Sequence, residues 1–275
     1  PATPRGLMVQ VAYDTVHLTW RANTEPDLAG YNVFRDKEKI NPALVPETTY
    51  SEYVPLDGYF YYQVSAVDTF GNESAKCDSV KADLVPPEVT INIPNWYDYV
   101  HGMVPVIGTA WDEIFAEYKL SFGAGENPVE FTPILACSTA RRNDTLGIWP
   151  TGNLDDGIYT LKLSAVDFNT NRDSTYTIVN IDNSPPNPPT LSGELLPDTN
   201  AYLHWQPDSL YGIEYGTFNA YRSLTPGSNY AKIGSIEWDT SFIDTTVQNG
   251  KTYYYVVTAI DWTGNESDFS NQVEI

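Results

Sequence analysis

The sequence has only two cysteines, Cys77 and Cys137, and no run of about 18 apolar residues. The cysteines fall in different parts of the chain, so no disulfide framework stabilises it. A single Cys77–Cys137 bond and two separate thiols both stay open. The lack of a long apolar run excludes a membrane-spanning helix in this chain. No stretch shows a helical period over ten residues, which argues against a helical fold.

Basic residues are also scarce: 15 Lys and Arg stand against 36 Asp and Glu, for a formal charge of −21. Such a surface repels nucleic acid and anionic lipid, so we expect neither as a partner. Solubility is the simplest explanation of the charge. The chain opens on Pro1-Ala2-Thr3-Pro4, without Met or an apolar leader. We therefore expect it to be a mature or excised portion of a longer protein.

Motifs of catalysis are missing too. The sequence contains no Gly-rich phosphate loop, no His-Glu-x-x-His pair and no serine at nucleophile-elbow spacing. Its three histidines, His17, His101 and His204, are far apart. Neighbouring acids such as Asp155 and Asp156 face opposite sides of a strand. We therefore predict no catalytic residue, no cofactor and no enzyme activity.

The sequence does contain one stretch that recurs three times. Each copy alternates apolar and other residues over about six positions and then reaches an Asp and a turn with Asn. The three aspartates, Asp68, Asp167 and Asp261, are spaced by 99 and 94 residues. A repeat of about 100 residues predicts three copies of one antiparallel β-sandwich.

Proline-rich stretches separate the copies, at Val85-Pro86-Pro87 and at 183–189. Proline fixes φ, so these linkers are expected to be short, extended and semi-rigid. The sequence thus predicts an all-β protein of three sandwiches in a rod, with domains at 1–85, 86–183 and 184–275.

The first domain contains Leu18-x-Trp20, Gly30-Tyr31-x-Val33-x-Arg35 and Val64-x-Ala66-Val67-Asp68-x-x-Gly71-Asn72-Glu73-Ser74, and the third contains Leu203-x-Trp205 and Val257-x-Ala259-Ile260-Asp261-x-x-Gly264-Asn265-Glu266-Ser267. In these residues the two domains resemble fibronectin type III domains. The resemblance implies a sandwich with Trp20 and Trp205 in its cores. It also implies that a corner Tyr, here Tyr253, ties its hydroxyl to the adjoining loop. The first domain has Phe60 at that place, where Tyr59 or Tyr61 could substitute.

The second domain contains Val106-Ile107-Gly108-Thr109-Ala110-Trp111-Asp112, Gly147-Ile148-Trp149 and Leu154-Asp155-Asp156-Gly157-Ile158-Tyr159-Thr160-Leu161. In these residues it is similar to an Ig-like repeat of exported bacterial proteins. It places Tyr159 at the corner position, among the structural residues. We read Gly108, Gly123, Gly125 and Gly157 as turn or bulge positions whose backbone angles forbid a side chain.

Two kinds of residue could carry a function. Asp68, Asp167 and Asp261 could hold structural calcium with nearby Asn oxygens and Asp182-Asn183, or they could accept bonds from turn amides. Four aromatic residues in loops could stack on a sugar or pack against a domain: Trp96, Tyr97, Tyr99 and Trp262.

These observations favour a non-catalytic structural or adhesive module of an extracellular or cell-surface bacterial protein. Its expected partners are proteins or polysaccharides at a cell surface or matrix, with self-association as a further option. One alternative is a carbohydrate-binding accessory region of a secreted hydrolase. Another is a subunit of an extracellular fibre that is joined by surface contacts.

Overall fold

A computed structural model describes residues 1–207 and 215–275. Within those residues every regular element is a β-strand, which confirms the all-β fold that the sequence predicts. None of the described residues forms a helix that could cross a membrane. Cys77 and Cys137 are free thiols.

The first seven strands form two sheets with the orders β1-β2-β5 and β4-β3-β6-β7. Their bounds are β1 Arg5–Ala12, β2 Thr15–Arg21, β3 Leu28–Arg35, β4 Glu38–Lys39, β5 Thr49–Tyr53, β6 Tyr59–Asp68 and β7 Val80–Asp83. Strand β2 alternates, so that Val16, Leu18 and Trp20 are buried. They pack in one core with residues of the other sheet, among them Val33 and Val64, and this makes the pair of sheets a sandwich.

The next eight strands form sheets with the orders β13-β10-β8 and β12-β11-β14-β15-β9. Their bounds are β8 Glu88–Ile93, β9 Tyr99–Val100, β10 Met103–Trp111, β11 Phe115–Ala124, β12 Thr132–Cys137, β13 Arg141–Pro150, β14 Gly157–Asp167 and β15 Arg172–Ile181. Strands β11 and β13 belong to different sheets. The hydroxyl of Tyr118 donates to the carbonyl of Leu146 at 2.7 Å, and the rings of Phe122 and Trp149 lie 5.3 Å apart.

The last seven strands form sheets with the orders β16-β17-β20 and β19-β18-β21-β22. Their bounds are β16 Thr190–Leu195, β17 Ala201–Gln206, β18 Tyr215–Ser223, β19 Ala231–Glu237, β20 Ser241–Asp244, β21 Tyr254–Asp261 and β22 Val273–Glu274. Ala201, Leu203 and Trp205 alternate along β17 as Val16, Leu18 and Trp20 do along β2. They share a core with Val257 and Ala259 of the opposite sheet.

The chain divides into two compact units. One contains residues 1–95, 105–149 and 160–177, and the other contains 96–104, 150–159 and 178–275. The predicted domain boundaries near residues 85 and 183, and the predicted rod, stay predictions.

Of the four glycines predicted to lie at turns or bulges, two are required for a reason that the sequence does not reveal. Gly125 and Gly157 have positive φ, as turn positions do. Gly108 and Gly123 do not. At Gly108, beside a register shift of β10, a Cβ would lie 2.0 Å from the carbonyl oxygen of Thr90. At Gly123 it would lie 2.4 Å from the Pro128 side chain. Close approach, and not a forbidden backbone angle, is what demands glycine at these two positions.

Candidate functional site

The three repeated aspartates end equivalent strands and build the same turn. Asp68 ends β6, Asp167 ends β14 and Asp261 ends β21. In each copy, Oδ1 of the Asp accepts the backbone N–H of the Asn four residues later at 2.9 Å. The side-chain amide of that Asn donates to Oδ2 at 2.8 to 3.0 Å. We call these three elements the Asp–Asn turns.

The carboxylates of the Asp–Asn turns use both oxygens to accept amide protons. This arrangement favours the turn-stabilising alternative over calcium, because a hard cation would compete with the amides for the same lone pairs. The described part of the chain contains no group of three or more His, Cys, Asp or Glu side chains placed to hold a metal ion.

The pKa values of Asp167 and Asp68 are shifted in opposite directions. Burial raises the pKa of Asp167, and the bonds from Asn171 oppose that effect without cancelling it. The side-chain bond from Asn72 lowers the pKa of Asp68. Asp167 is therefore a buried acceptor whose main donors are the side-chain and backbone amides of Asn171.

In two of the turns the Asn side chain also binds backbone at the start of a proline-rich stretch, which the sequence predicts to be a linker. The amide of Asn171 donates to the carbonyls of Asp83 at 3.0 Å and Val85 at 3.3 Å. The amide of Asn265 donates to the carbonyls of Asp182 at 2.8 Å and Ser184 at 3.4 Å. Each pair of carbonyls belongs to the third and the first residue before a proline, Pro86 or Pro185. The repeated Asn thus holds its linker in the same register both times.

The corner tyrosine expected at Tyr253 lies elsewhere. Tyr253 is buried, and the Arg222 guanidinium lies 4.8 Å from its ring centre. The hydroxyl that ties back belongs to Tyr255, which donates to Asp244 at 3.0 Å. Tyr253 directly precedes β21 and Tyr255 is the second residue of that strand, and it is the Tyr255 hydroxyl that reaches Asp244. Tyr253 thus lies in the core of its sandwich, and the hydroxyl bond that the resemblance implied for it is made by Tyr255, two residues later.

The first domain repeats this arrangement with Tyr62, so neither Tyr59 nor Tyr61 substitutes for Phe60. Tyr62 is fully buried and donates to Glu52 at 2.8 Å. Glu52 pairs with Arg35 at 2.7 Å, as Asp244 pairs with Arg222 at 2.6 Å. Burial, followed by the acid partner, raises the pKa of Tyr62. The pKa of Asp244 is lowered, because bonds from Thr246, Arg222 and Tyr255 outweigh its burial.

The predicted structural residues divide by burial. Trp20 and Trp205 are buried in their cores and pack at steep ring angles against Tyr31 and Phe218, with ring centres 5.3 and 5.4 Å apart. Tyr159 is half-buried. It lies near the start of β14, where the strand has only begun to enter the core.

The four candidate ligand-contact aromatics are exposed and lie in one compact unit. Their exposed fractions are 53% for Trp96, 50% for Tyr97, 65% for Tyr99 and 57% for Trp262. Tyr99 and Trp262 line one cleft of about 650 Å³. Trp96 and Tyr97 pack edge to face at 6.3 Å and are not among its lining residues.

Polar groups surround the two rings in this cleft. Its other lining residues include three acids and several linker residues, among them Asp156, Asp182, Asp261, Ser184, Pro185, Pro186 and Asn187. Asp156 accepts the backbone N–H of Asn183 at 2.7 Å, and Oδ1 of Asp261 accepts bonds from its own turn. A flat ring beside oxygen acceptors can take the apolar face and the hydroxyls of a sugar.

Sequence reasoning missed Trp238, which widens this aromatic surface. Its ring lies 5.0 Å from that of Trp262, and 67% of it is exposed. It lies directly after β19, at a loop position where φ is +60°. A large aromatic beside the turn at Asp239-Thr240 is the signal that could have found it.

The three histidines do not gather at one place, although His101 lies beside the Asp–Asn turn that contains Trp262. His17 bonds to Ser51 at 2.8 Å, and His204 stacks on Tyr202 at 5.4 Å. His101 lies beside Gly264, whose Cβ would be 3.5 Å from Nε2.

No family model matches the chain. The chain is similar to the amylopullulanase of Thermoanaerobacter thermohydrosulfuricus, with 48% identity over 58 residues, which are 21% of this chain and 4% of that protein. It is also similar to the amylopullulanase of Thermoanaerobacterium thermosulfurigenes, with 48% identity over 54 residues, 20% of this chain and 3% of that protein. The chain thus corresponds to a small fraction of the length of the relatives it matches.

Among the solved structures that resemble the chain are two with fibronectin type III names. The FN1–FN3 domains of chicken CNTN1 are 13% identical, with 100% of this chain and 98% of that chain covered and a TM-score of 0.46. An Fn3-like protein from Clostridium thermocellum is 32% identical, with 33% of this chain and 92% of that chain covered and a TM-score of 0.30.

Proposed function

We propose that the chain is a non-catalytic accessory region of a larger extracellular bacterial protein, in which sandwiches joined by bound linkers serve as a structural or adhesive module. The observation that carries the proposal is the pair of Asn–linker contacts. The side-chain amides of Asn171 and Asn265 each donate hydrogen bonds to the linker before their own domain. A linker held in this way transmits position from one module to the next, which a flexible linker cannot do.

The host of such a region would be a secreted hydrolase. This part of the proposal is supported by the similarity to short segments of two amylopullulanases. A region that matches an enzyme over a short segment and repeats a sandwich fold is suited to spacing and support. The acidic surface, with its formal charge of −21, keeps such a module soluble outside the cell.

Hydrolysis assays test the non-catalytic part of the proposal. The purified chain is incubated with pullulan, starch and other polysaccharides, and the release of reducing ends is measured. We expect no release above the buffer control at any pH at which the chain is folded. Release that is lost on substitution of a cleft acid such as Asp156→Asn would contradict the proposal.

A second candidate function, binding of a polysaccharide, is favoured by the cleft with Tyr99 and Trp262. Its volume of about 650 Å³ lies in the range of small-molecule sites. Because the chain is strongly acidic, a neutral glucan fits the cleft better than an anionic polysaccharide. The amylopullulanase relatives point in the same direction, towards an α-glucan.

Retention on insoluble starch tests this candidate. Trp262→Ala should weaken binding by about tenfold, since a stacked ring contributes about 1 kcal/mol beyond its buried area. Trp96→Ala is the matched control, because Trp96 is similarly exposed but does not line the cleft. Equal retention of the two variants would remove the cleft as the binding site.

A further inference from the structure

The first Asp–Asn turn has the geometry of the two that bind linkers. Oδ1 of Asp68 accepts the N–H of Asn72 at 2.9 Å, and the Asn72 side-chain amide donates to Oδ2 at 2.9 Å. The backbone N–H of the Asp also donates to the carbonyl of the Asn at 3.1 Å, as it does in the other two turns. The Asn amide is therefore oriented by the same bonds in all three copies.

The side-chain amides of the other two turns bind backbone carbonyls just before a proline, and the sequence shows which proline corresponds in the first domain. Asn171 and Asn265 bind the carbonyls of the third and first residues before Pro86 and Pro185. Pro1 corresponds to Pro185, because Pro1-x-x-Pro4-x-x-Leu7 repeats Pro185-x-x-Pro188-x-x-Leu191. Leu7 and Leu191 also correspond in structure, since both pack against the core of their sandwich.

The surface around the first turn is open to a peptide. Asn72 is exposed, and so is Phe70, with 85% of its surface accessible. A Cβ built on Gly71 would meet no atom within 4 Å. The amino group of Pro1 lies close enough to affect Asp68: the bond from Asn72 lowers the pKa of this carboxyl most, and the terminal charge adds to the effect.

We infer that the Asp68–Asn72 turn is a docking site for the extended backbone of a peptide joined to Pro1, which it binds through the carbonyls of the third and first residues before that proline. The inference deepens the proposed function, on which it rests, by extending linker binding to the first domain. The occupant is recognised by main-chain groups, so its side chains are free to vary. Proline at position 1 keeps the preceding residue extended, which presents its carbonyl as Val85 and Ser184 present theirs.

The test adds the chain's own linker to its amino end. The four residues that precede Pro185, Ile-Asp-Asn-Ser, are fused before Pro1 of the full chain. The side-chain amide of Asn72 is followed by NMR with and without the extension. We expect its hydrogen exchange to slow by roughly three- to tenfold, the factor that corresponds to one net hydrogen bond. Unchanged exchange would overturn the inference.

A variant provides the second measurement. The extension should raise the Tm of the unsubstituted chain and leave that of Asn72→Ala unchanged, since the variant keeps the backbone bonds of the turn but has no amide to donate. An equal rise in both proteins would overturn the inference. Asn265→Ala, with its linker already present, is the reference for losing such contacts.

Failure here is distinguishable from failure of the proposed function. If the extension does not dock, Asn171 and Asn265 still protect their linkers, and only the first turn is reassigned. If the chain hydrolyses a polysaccharide, the proposed function fails whatever the exchange rate of Asn72.

Discussion

Replacing Asn171 by alanine should destabilise the protein more than the same change at Asn72. The side-chain amide of Asn171 lies 2.8 Å from Oδ2 of Asp167 and within 3.3 Å of two linker carbonyls, and only 8% of the residue is exposed. An amide has two hydrogens, so two good bonds are lost, one of them to a carboxylate. Such bonds contribute about 1 and about 2 kcal/mol, and the buried acceptors are left without their donor. We therefore expect a cost of about 2 to 4 kcal/mol.

Asn72→Ala is the internal control, because it removes one side-chain bond, at 2.9 Å, from an exposed position. Its expected cost is about 1 kcal/mol. Calorimetry resolves the transitions of the separate sandwiches, which a single two-state fit would merge. Hydrogen exchange of Leu84 and Val85 reports on the linker itself, since their amides donate to Gly58 and to the Asp83 side chain.

Equal costs at the two positions would refute the reasoning. So would unchanged exchange at Leu84 and Val85 in Asn171→Ala, because the linker would then be held by other contacts.

Three further predictions concern the supports of the fold. Tyr255→Phe removes the 3.0 Å bond to Asp244 and should cost about 1 to 2 kcal/mol, measured as a lower Tm, whereas loss of an unbonded hydroxyl would leave Tm unchanged. Gly108→Ala should cost more than about 3 kcal/mol, because its Cβ would overlap the Thr90 carbonyl; a soluble variant with the original Tm would disprove this. Stability should fall on acidification from about pH 5 to about pH 3. The reason is that hydrogen bonds, chiefly from Asn32, lower the pKa of Glu73, so its contribution is complete above the unfolded value near 4.3 and is lost as pH falls through the folded pKa. A flat profile of Tm against pH would contradict it.

Local patterns made much of the fold predictable. Strands β6, β14 and β21 end at the repeated aspartates, as the alternation before each Asp predicts. Burial of Trp20 and Trp205 also follows from alternation, because a strand with one wet face fixes the direction of each side chain. These features depend on neighbours in sequence.

Contacts between distant residues were not predictable in the same way. Asn171 lies 88 residues from Asp83, and no periodicity connects an amide to a backbone carbonyl. The Tyr255–Asp244–Arg222 group depends on the register of three strands, so sequence spacing placed the hydroxyl at Tyr253. The need for glycine at Gly108 arises from the opposite strand, which the local sequence does not describe.

Only part of the cleft could be predicted from the sequence. Tyr99 and Trp262 could be named as loop aromatics, but their meeting in one cleft, and the separation of Trp96 and Tyr97 from it, depend on tertiary structure.

The central claim has two parts. The Asn of each repeated turn binds linker backbone, and the Asp of the turn accepts hydrogen bonds from turn amides instead of binding a metal ion. Hydrogen exchange of the three Asn side-chain amides in the unextended chain, measured by NMR in calcium and in chelator, tests it most directly. The account predicts slow exchange at Asn171 and Asn265, faster exchange at Asn72, and the same rates in both buffers. Equal exchange at all three amides, or rates that change when calcium is removed, would contradict it.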